Sequence, residues 1–243
     1  MLDLSPWPGL TLGNRLGGGH RNAVYEVDGP ARLIARRSLR TSDALAWELD
    51  LLDFLASYDF IVPATVPTVD GRRSVDGILV QTWVDGHPPE GDDWTIVARE
   101  LVRLHRLTAG WSTQRPGFSS TQDLLTELYG GDVNLHVMPA DAVRLCRQAW
   151  GGLPDVPLSV IHGDPGGANI RIQGGRVGFI DWDESRIDHP DLDLVEIPDG
   201  PLTSHRLTMA LAAIDAWETA CGWAIEPAYA RQRLDSLRQR VGN

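Results

Sequence analysis

The sequence contains no lysine, and all 22 of its basic residues are arginines. Any site that ordinarily uses a lysine ammonium group must therefore use a guanidinium group or work without a cation. Cysteine is nearly absent too, because Cys146 and Cys221 are the only two and form no CxxC pair. We expect buried free thiols, with a disulfide as the alternative, and so few cysteines suit a reducing cytoplasm.

Long apolar runs and net positive charge are also missing from the 243 residues. No apolar stretch approaches the roughly 20 residues that cross a membrane. The N-terminus lacks the basic segment before a hydrophobic one that marks a signal peptide. A formal net charge of −11 argues against nucleic acid as the main partner. We therefore expect a cytoplasmic monomer or weak dimer with one large domain or two small ones.

The first third of the chain is predicted to be rich in β-structure. Apolar alternation predicts strands over residues 11–16, 23–28, 32–38 and 78–83. One helix interrupts them, and its N-cap is Thr41 or Ser42. The apolar face of this helix consists of four positions at helical spacing: Leu45, Leu49, Leu52 and Leu55 or Ala56.

Helical patterns dominate after a connector near residues 81–90. Helices are predicted over residues 94–107, 121–129, 139–150, 202–221 and 227–241, with short strands around residue 160 and in "RVGFIDWDES". The chain thus divides into a small β-rich lobe, residues 1–84, and a larger helical lobe, residues 85–243. This is the organisation of a two-lobed enzyme whose cleft lies at the connector.

The stretch "HGDPGGAN", residues 162–169, is a loop rich in glycine and proline between two short strands. Asp164 and Asn169 lie five residues apart in it, and Asp181 follows in "GFIDWD". Phosphoryl transfer needs a carboxylate that orients the attacking hydroxyl, together with oxygen ligands for metal ions on the phosphates. One alternative is a structural turn, and another is a metal-hydrolase site made of four residues: His162, Asp164, Asp181 and His189.

The two motifs together resemble the small-molecule branch of the protein-kinase-like fold. "HGDPGGAN" is similar to the catalytic loop H-x-D-x-x-x-x-N, and "IDWDES" is similar to the counterpart of D-F-G in aminoglycoside phosphotransferases and choline kinases. The resemblance spans roughly residues 10–225. It implies an α+β fold with a small antiparallel-sheet N-lobe that carries one helix and a larger, mainly helical C-lobe. It also implies ATP or GTP as phosphate donor, Asp164 as the catalytic base, and Mg²⁺ on Asn169 and Asp181.

The segment "LGGGHRN" joins two predicted strands, and a structural hairpin would account for its glycines. It also resembles the loop that covers the phosphates in kinases, although an asparagine stands where the third glycine of G-x-G-x-x-G is found. The resemblance implies nucleotide contacts from five residues: Gly17, Gly18, Gly19, His20 and Asn22.

The strand "RLIARRS" resembles the kinase strand that carries a lysine for the phosphates. Here the cation is an arginine, and alternation puts Arg36 and Arg37 on opposite faces. The resemblance favours Arg36, with Arg37 as the alternative after a slip of one residue. Glu48, on the apolar face of the following helix, is the expected ion-pair partner of Arg36.

"ILVQTWVDG" resembles the hinge segment that binds the nucleotide base through backbone groups. The resemblance implies base contacts from the Thr82 carbonyl and the Val84 N–H, with Gln81 beside the pocket behind the base. His105 is expected to be structural. Asp193 resembles the aspartate with which this fold holds its catalytic loop.

The acceptor of the phosphate is expected to be a small molecule. Gly163 stands where protein kinases place an arginine, and the step from "IDWDES" to "DHPDLDL" is too short for a peptide-binding platform. An antibiotic or similar natural product with a hydroxyl group is expected, and an amino-alcohol or a sugar is the alternative. A catalytically silent nucleotide-binding pseudokinase is the rival interpretation. An acidic cluster after the metal motif could attract an amine-bearing acceptor: Asp183, Glu184, Asp188 and Asp191.

Overall fold

The computed structural model describes residues 2–17 and 23–242. By internal packing the chain forms two compact units: Met1–Pro89 with Gly167–Asp183, and Glu90–Gly166 with Glu184–Asn243. The predicted lobe boundary between residues 84 and 85 stays a prediction. In the structure a later segment of the chain, residues 167–183, belongs to the first unit.

The first unit contains a five-stranded antiparallel sheet in the order β1-β2-β3-β5-β4. Its strands are β1 (Thr11–Arg15), β2 (Val24–Asp28), β3 (Leu33–Arg37), β4 (Thr65–Val66) and β5 (Ile78–Thr82). The predicted strands lie within one or two residues of the observed ones. One face of the sheet packs on a core of buried apolar residues from the N-terminal segment and the strands: Leu4, Trp7, Val27, Leu33, Ala35, Ile78 and Val80.

Helix α1 (Ser42–Ser57) follows β3, and Thr41 is its N-cap. The Thr41 side chain accepts a hydrogen bond from the Ala44 N–H at 3.3 Å, which satisfies one of the free donors of the first turn. Leucines at the predicted helical spacing are buried: Leu45, Leu49, Leu52 and Leu55. Ala56, the alternative to Leu55 on this face, is exposed.

A β-hairpin from later in the chain completes the first unit, and its strands are β9 (Ile170–Gln173) and β10 (Arg176–Phe179). It joins the rest of the unit through backbone hydrogen bonds. The Phe179 N–H donates to Ile61 O at 2.9 Å, and the Ile172 N–H donates to His87 O at 2.8 Å. Gly86 makes the approach at His87 possible, because its φ is +127° and a Cβ there would lie 2.6 Å from Ile172 O.

The second unit is mainly helical. Its helices are α2 (Asp93–Leu107), α3 (Ala140–Gly151), α4 (Ser204–Gly222) and α5 (Pro227–Val241). Its short strands are β6 (Tyr129–Gly130), β7 (Val133–Asn134), β8 (Ser159–Ile161) and β11 (Arg186–Asp188), which pair as β6 with β7 and β8 with β11. The four predicted helices in these positions are confirmed. Within residues 2–17 and 23–242, no helix is both long and apolar enough to cross a membrane.

Both cysteines lie in the core of the second unit as free thiols, as predicted. Burial raises the pKa of the Cys146 thiol to about 12 and raises that of Cys221 as well. Both thiols therefore stay protonated at neutral pH and behave as small apolar side chains.

The helix predicted over Thr121–Tyr129 is wrong, because the structure has only a 3₁₀ turn at Asp123–Leu125 followed by β6. Arg147 on α3 explains the difference. Its guanidinium group donates to the carbonyl oxygens of Leu124, Thr126 and Glu127, at 3.0, 3.4 and 3.0 Å. These carbonyls therefore turn toward an arginine and not toward the amides of a following helical turn.

Candidate active site

The loop after β8 carries Asp164, which belongs to the second unit and is exposed. His162, two residues earlier, is fully buried, and its Nδ1 accepts a hydrogen bond from the Asp164 N–H at 3.3 Å. The histidine thus organises the loop from within, while Asp164 is exposed.

Asp193 anchors the same loop from the 3₁₀ turn Pro190–Leu194. Its carboxylate accepts hydrogen bonds from the His162 N–H at 2.8 Å and the Gly163 N–H at 2.9 Å. His105 Nε2 on α2 donates to it at 2.9 Å. His105 and Asp193 therefore act as structural residues, as predicted. Together they fix the backbone just before Asp164.

The ionisation of Asp193 follows from these contacts. Burial alone would raise its pKa, but the hydrogen bond and charge of His105 and the amide of Gly163 outweigh it, so that the net pKa lies below the ordinary value. Asp193 is therefore a charged anchor at neutral pH.

Gly163 is required by the backbone of the loop. Its φ is +90°, and a Cβ at this position would lie 2.5 Å from Glu184 O. Any other residue would clash with that carbonyl or force the loop to move. The glycine thus has a structural reason to stand immediately before Asp164.

Asn169 and Asp181 come together in the first unit at the open end of the β9–β10 hairpin. Asn169 immediately precedes β9, and the Ile180 N–H donates to Asn169 O at 2.9 Å. Asp181 follows directly, is exposed, and has a φ of +60°, which is uncommon outside glycine. The hairpin thus brings the two predicted metal ligands to one end of a short sheet.

The residues after Asp181 hold it in this conformation. Trp182 is buried, and its Nε1–H donates to Phe179 O at 3.2 Å. Asp183 is also buried and pairs with Arg40, whose Nη2 lies 2.7 Å from Asp183 Oδ2. The strained residue is therefore fixed on its C-terminal side by a core tryptophan and an ion pair.

The oxygen atoms of Asn169 and Asp181 are donors of the kind that Mg²⁺ prefers, and Mg²⁺ commonly takes one or two protein ligands, several waters and substrate phosphates. In the part of the chain that the structure describes, no group of three or more histidine, cysteine, aspartate or glutamate side chains could hold a metal ion. The oxygen donors of Asn169 and Asp181 fit the chemistry of a magnesium site.

His189, a ligand in the metal-hydrolase alternative, is occupied by backbone groups. Its Nδ1 accepts from the Asp191 N–H at 3.2 Å, and its Nε2 lies 3.0 Å from Pro154 O. Burial also lowers its pKa. Since both ring nitrogens are used, the hydrolase interpretation loses one of its four ligands.

Arg36 lies on β3 with its side chain buried, whereas Arg37 is exposed. Arg36 Nη2 forms the predicted ion pair with Glu48 of α1, which is fully buried. Arg36 Nε–H also donates to Gln81 Oε1 on β5 at 3.2 Å. The alternation along β3 thus separates the two arginines, and Arg36 is the one that pairs with the helix.

The remaining predicted nucleotide contacts have different outcomes. Gly17 is exposed and lies two residues after the end of β1, while four of the predicted residues lie outside the described residues: Gly18, Gly19, His20 and Asn22. Thr82 ends β5. Its N–H donates to Ala64 O at 2.9 Å, and its hydroxyl oxygen accepts a hydrogen bond from the Ala64 N–H, also at 2.9 Å. The contacts of Thr82 and Val84 with a base stay predictions.

The acidic cluster is not a free negative surface. Three of its carboxylates are buried and ion-paired: Asp183 with Arg40, Asp188 with Arg186, and Asp191 with Arg206. The interpretation of this cluster as an attraction site for an amine-bearing acceptor is therefore wrong for these three residues. Their charges are already balanced inside the protein.

Two side chains of this site were not predicted in their observed roles. Arg40 had no assigned role. Gln81 was expected beside the pocket behind the base, but its side chain contacts Arg36. Neither contact has a local signal, because each joins residues far apart in the sequence.

A sequence model of the phosphotransferase enzyme family matches residues 13–232, which is most of the chain. The chain belongs to this family. Crystal structures of kinases share its fold. One is a putative fructosamine-3-kinase from Thermobifida fusca YX-ER1, with 18% identity, a TM-score of 0.67, and coverage of 96% of this chain and 94% of that one. Another is choline kinase LicA from Streptococcus pneumoniae, with 14% identity, a TM-score of 0.65, and coverage of 97% and 94%.

A third structure is a thermostable mutant of aminoglycoside phosphotransferase APH(4)-Ia in a ternary complex with ADP and hygromycin B. It shares 14% identity with this chain at a TM-score of 0.62, and the match covers 95% of this chain and 94% of that one. The comparison with curated proteins found no match. The predicted family and the α+β kinase-like fold are thus confirmed, and they support a kinase-type phosphotransferase.

Proposed function

We propose that this phosphotransferase is a magnesium-dependent kinase that transfers the γ-phosphate of ATP or GTP to a hydroxyl group of a small molecule. The observation that carries the proposal is the hydrogen bond from Ile180 to Asn169 O, which joins the segments of Asn169 and Asp181. These residues would hold Mg²⁺, which neutralises charge that develops on the phosphates when it is bound.

Asp164 is the proposed base. The acceptor oxygen forms a bond to the γ-phosphorus, the bond from that phosphorus to the leaving diphosphate oxygen breaks, and the hydroxyl proton passes to Asp164. The exposure of the carboxylate and the rigid hold of Asp193 on the preceding backbone support this role, because a base must be fixed and accessible.

Arg36 is the proposed cation for the phosphates, with Glu48 as its partner. The predicted contacts of the base with Thr82 and Val84, and of the phosphates with Gly17 and the glycine-rich segment, belong to the same proposal. They follow from the family motifs and from the position of Thr82 at the end of β5.

The proposed acceptor is an antibiotic or similar natural product. The structural relative that binds hygromycin B supports this class, since its fold matches nearly the whole chain. The fructosamine and choline kinases among the relatives favour the alternative, a metabolic kinase for a sugar derivative or an amino-alcohol. The neutralised acidic cluster removes one argument for a polyamine acceptor.

The test is to incubate the protein with Mg²⁺ and γ-labelled ATP or GTP together with pooled hydroxylated compounds, namely aminoglycosides, nucleoside and macrolide antibiotics, amino-alcohols and sugars. A protein mixture forms a separate arm, and the Asp164→Asn variant is the control. Label in a small molecule, absent with the variant, is expected. Label chiefly in protein would contradict the acceptor class, and nucleotide binding with no transfer to any pool would favour the pseudokinase.

A further inference from the structure

Arg36 is held on two sides by buried partners on neighbouring elements. Its Nη2 pairs with Glu48 on α1, and its Nε–H donates to Gln81 Oε1 on β5. Only 5% of Arg36 and 2% of Gln81 are exposed. A lysine could not make both contacts in this way, because its ammonium group is a single point charge and not a planar fork.

The sheet register explains why Gln81 reaches the arginine. Arg36 pairs with Leu79 across the β3–β5 ladder, and Gln81 is two residues farther along β5. Leu79 and Gln81 therefore point to the same face of the sheet as Arg36. Gln81 is the diagonal neighbour on that face, within reach of a long side chain.

Two buried donors remain beside this contact. Arg36 Nη1 and Gln81 Nε2 have no hydrogen-bond partner among the residues that the structure describes. Buried N–H groups are nearly always paired, so unpaired donors on two adjacent side chains indicate an acceptor that binds there. The orientation of the Gln81 amide is fixed, since its oxygen must face the Nε–H of Arg36.

We propose that Gln81 is a positioning residue for Arg36 and that the two free donors bind the nucleotide. Glu48 and Gln81 hold two edges of the guanidinium group, so that Nη1 is directed at one phosphate oxygen of the nucleotide, and Gln81 Nε2 donates to another phosphate oxygen. The inference rests on the proposed function. It assigns to Gln81 the task of adapting the site to arginine in a chain that has no lysine.

The experiment measures binding of ADP and adenosine by calorimetry, because the ratio of the two affinities reports contact with the phosphates. In Gln81→Met the ratio should fall by about tenfold, the effect of losing a hydrogen bond to a charged group, while adenosine binding changes little. Arg37→Ala, the exposed neighbour, should keep the wild-type ratio. In the Arg36→Ala background, Gln81→Met should lower ADP affinity by less than it does in the wild type, because only the direct Gln81 Nε2 contact is then left to lose.

Arg36→Lys is a second variant, and it leaves Gln81 itself unchanged. It should also lower the ratio several-fold, although it restores the residue usual in kinases, because Gln81 then loses its partner. A wild-type ratio in Gln81→Met or in Arg36→Lys would overturn the inference. A wild-type protein that binds neither ADP nor ATP would instead contradict the proposed function, so the two failures are distinguishable.

Discussion

Arg40 and Asp183 lie 143 residues apart in the sequence, and their side chains form a largely buried ion pair. Arg40 Nε and Nη2 both donate to Asp183 Oδ2, at 3.1 and 2.7 Å, and Nη2 also donates to Asp183 O at 3.3 Å. The pair joins the segment before α1 to the residue two positions after Asp181. It therefore ties the proposed metal ligand to the sheet and helix of the first unit.

Arg40→Ala should both destabilise the protein and raise its Mg²⁺ requirement. Removing one partner of a buried pair leaves an uncompensated charge, which typically costs about 3 kcal/mol or more. Because Asp183 also fixes the backbone next to Asp181, the Mg²⁺ concentration for half-maximal activity should increase. Urea unfolding and a Mg²⁺ titration measure the two effects.

Arg72→Ala is the matched control for this variant. Arg72 Nε lies 2.8 Å from Asp70 Oδ2, a similar distance, but both side chains are more than half exposed. An exposed pair contributes at most about 1 kcal/mol, so this variant should unfold nearly like the wild type and keep its Mg²⁺ dependence. An unchanged Mg²⁺ requirement in Arg40→Ala would mean that the pair does not position Asp181.

Asp164→Asn should abolish most turnover and leave nucleotide binding nearly intact. The asparagine keeps the size of the side chain but cannot accept the proton, and general-base assistance typically contributes about 10² to 10⁴ in rate. Turnover and nucleotide affinity are measured separately. Asp155→Asn, an exposed aspartate of the same unit, should behave like the wild type. Turnover within a few-fold of the wild type in Asp164→Asn would remove this residue from the mechanism.

Asp181→Ala and Asn169→Ala should each increase the Mg²⁺ concentration needed for activity. The effect should be larger for Asp181, because a carboxylate brings a full negative charge to a divalent cation and an amide oxygen does not. Titration of activity against Mg²⁺ at saturating nucleotide measures the difference. If neither variant changes the titration, the ligands of the metal lie elsewhere.

Arg36→Ala should weaken catalysis far more than Arg37→Ala. The two residues point to opposite faces of β3, and only Arg36 is buried against Glu48. The value of kcat/KM for the nucleotide measures the ranking. The reverse ranking would exchange the two roles, while two negligible effects would favour a silent nucleotide-binding protein.

Short-range patterns predicted most of the local structure. The bounds of α5 and the N-cap at Thr41 follow from the spacing of apolar residues and from capping chemistry, which act within a few residues. Period-two alternation along β3 put Arg36 and Arg37 on opposite faces, and the resemblance to the kinase strand favoured Arg36 as the partner of Glu48. The family motifs added the proposed roles of Asp164, Asn169 and Asp181, which lie within 18 positions of one another in the sequence.

Contacts between distant segments that no motif marks could not be predicted. Arg147 ends the expected helix at Thr121–Tyr129 from another helix, and nothing in that segment itself indicates the contact. The acidic residues after Asp181 were interpreted as a negatively charged surface, because the sequence shows which residues are charged but not which residues they pair with. Asp183 is in fact neutralised by Arg40, which lies 143 residues earlier in the sequence.

Asp193 holds the backbone immediately before Asp164 through the His162 and Gly163 amides. Its pKa in the folded protein lies below its ordinary value of 3.8, because the hydrogen bonds of His105 and Gly163 outweigh the opposing effect of burial. A group whose pKa falls on folding stabilises the protein fully above its unfolded pKa, and this contribution is lost as the pH falls through the folded pKa.

Asp193→Asn should therefore lower the free energy of unfolding by about 3 kcal/mol or more near neutral pH, as removal of a buried charged partner does. The difference in the free energy of unfolding between variant and wild type should persist down to roughly pH 4. It should shrink below that pH, where the wild-type carboxylate becomes protonated and is then neutral like the asparagine. Urea unfolding from pH 7 to pH 3 measures this, with the exposed Asp141→Asn as control. Turnover at neutral pH should fall as well, since the His162 and Gly163 amides lose a charged acceptor. A stability difference that stays constant across this pH range would show that the charge of Asp193 is not what holds the loop.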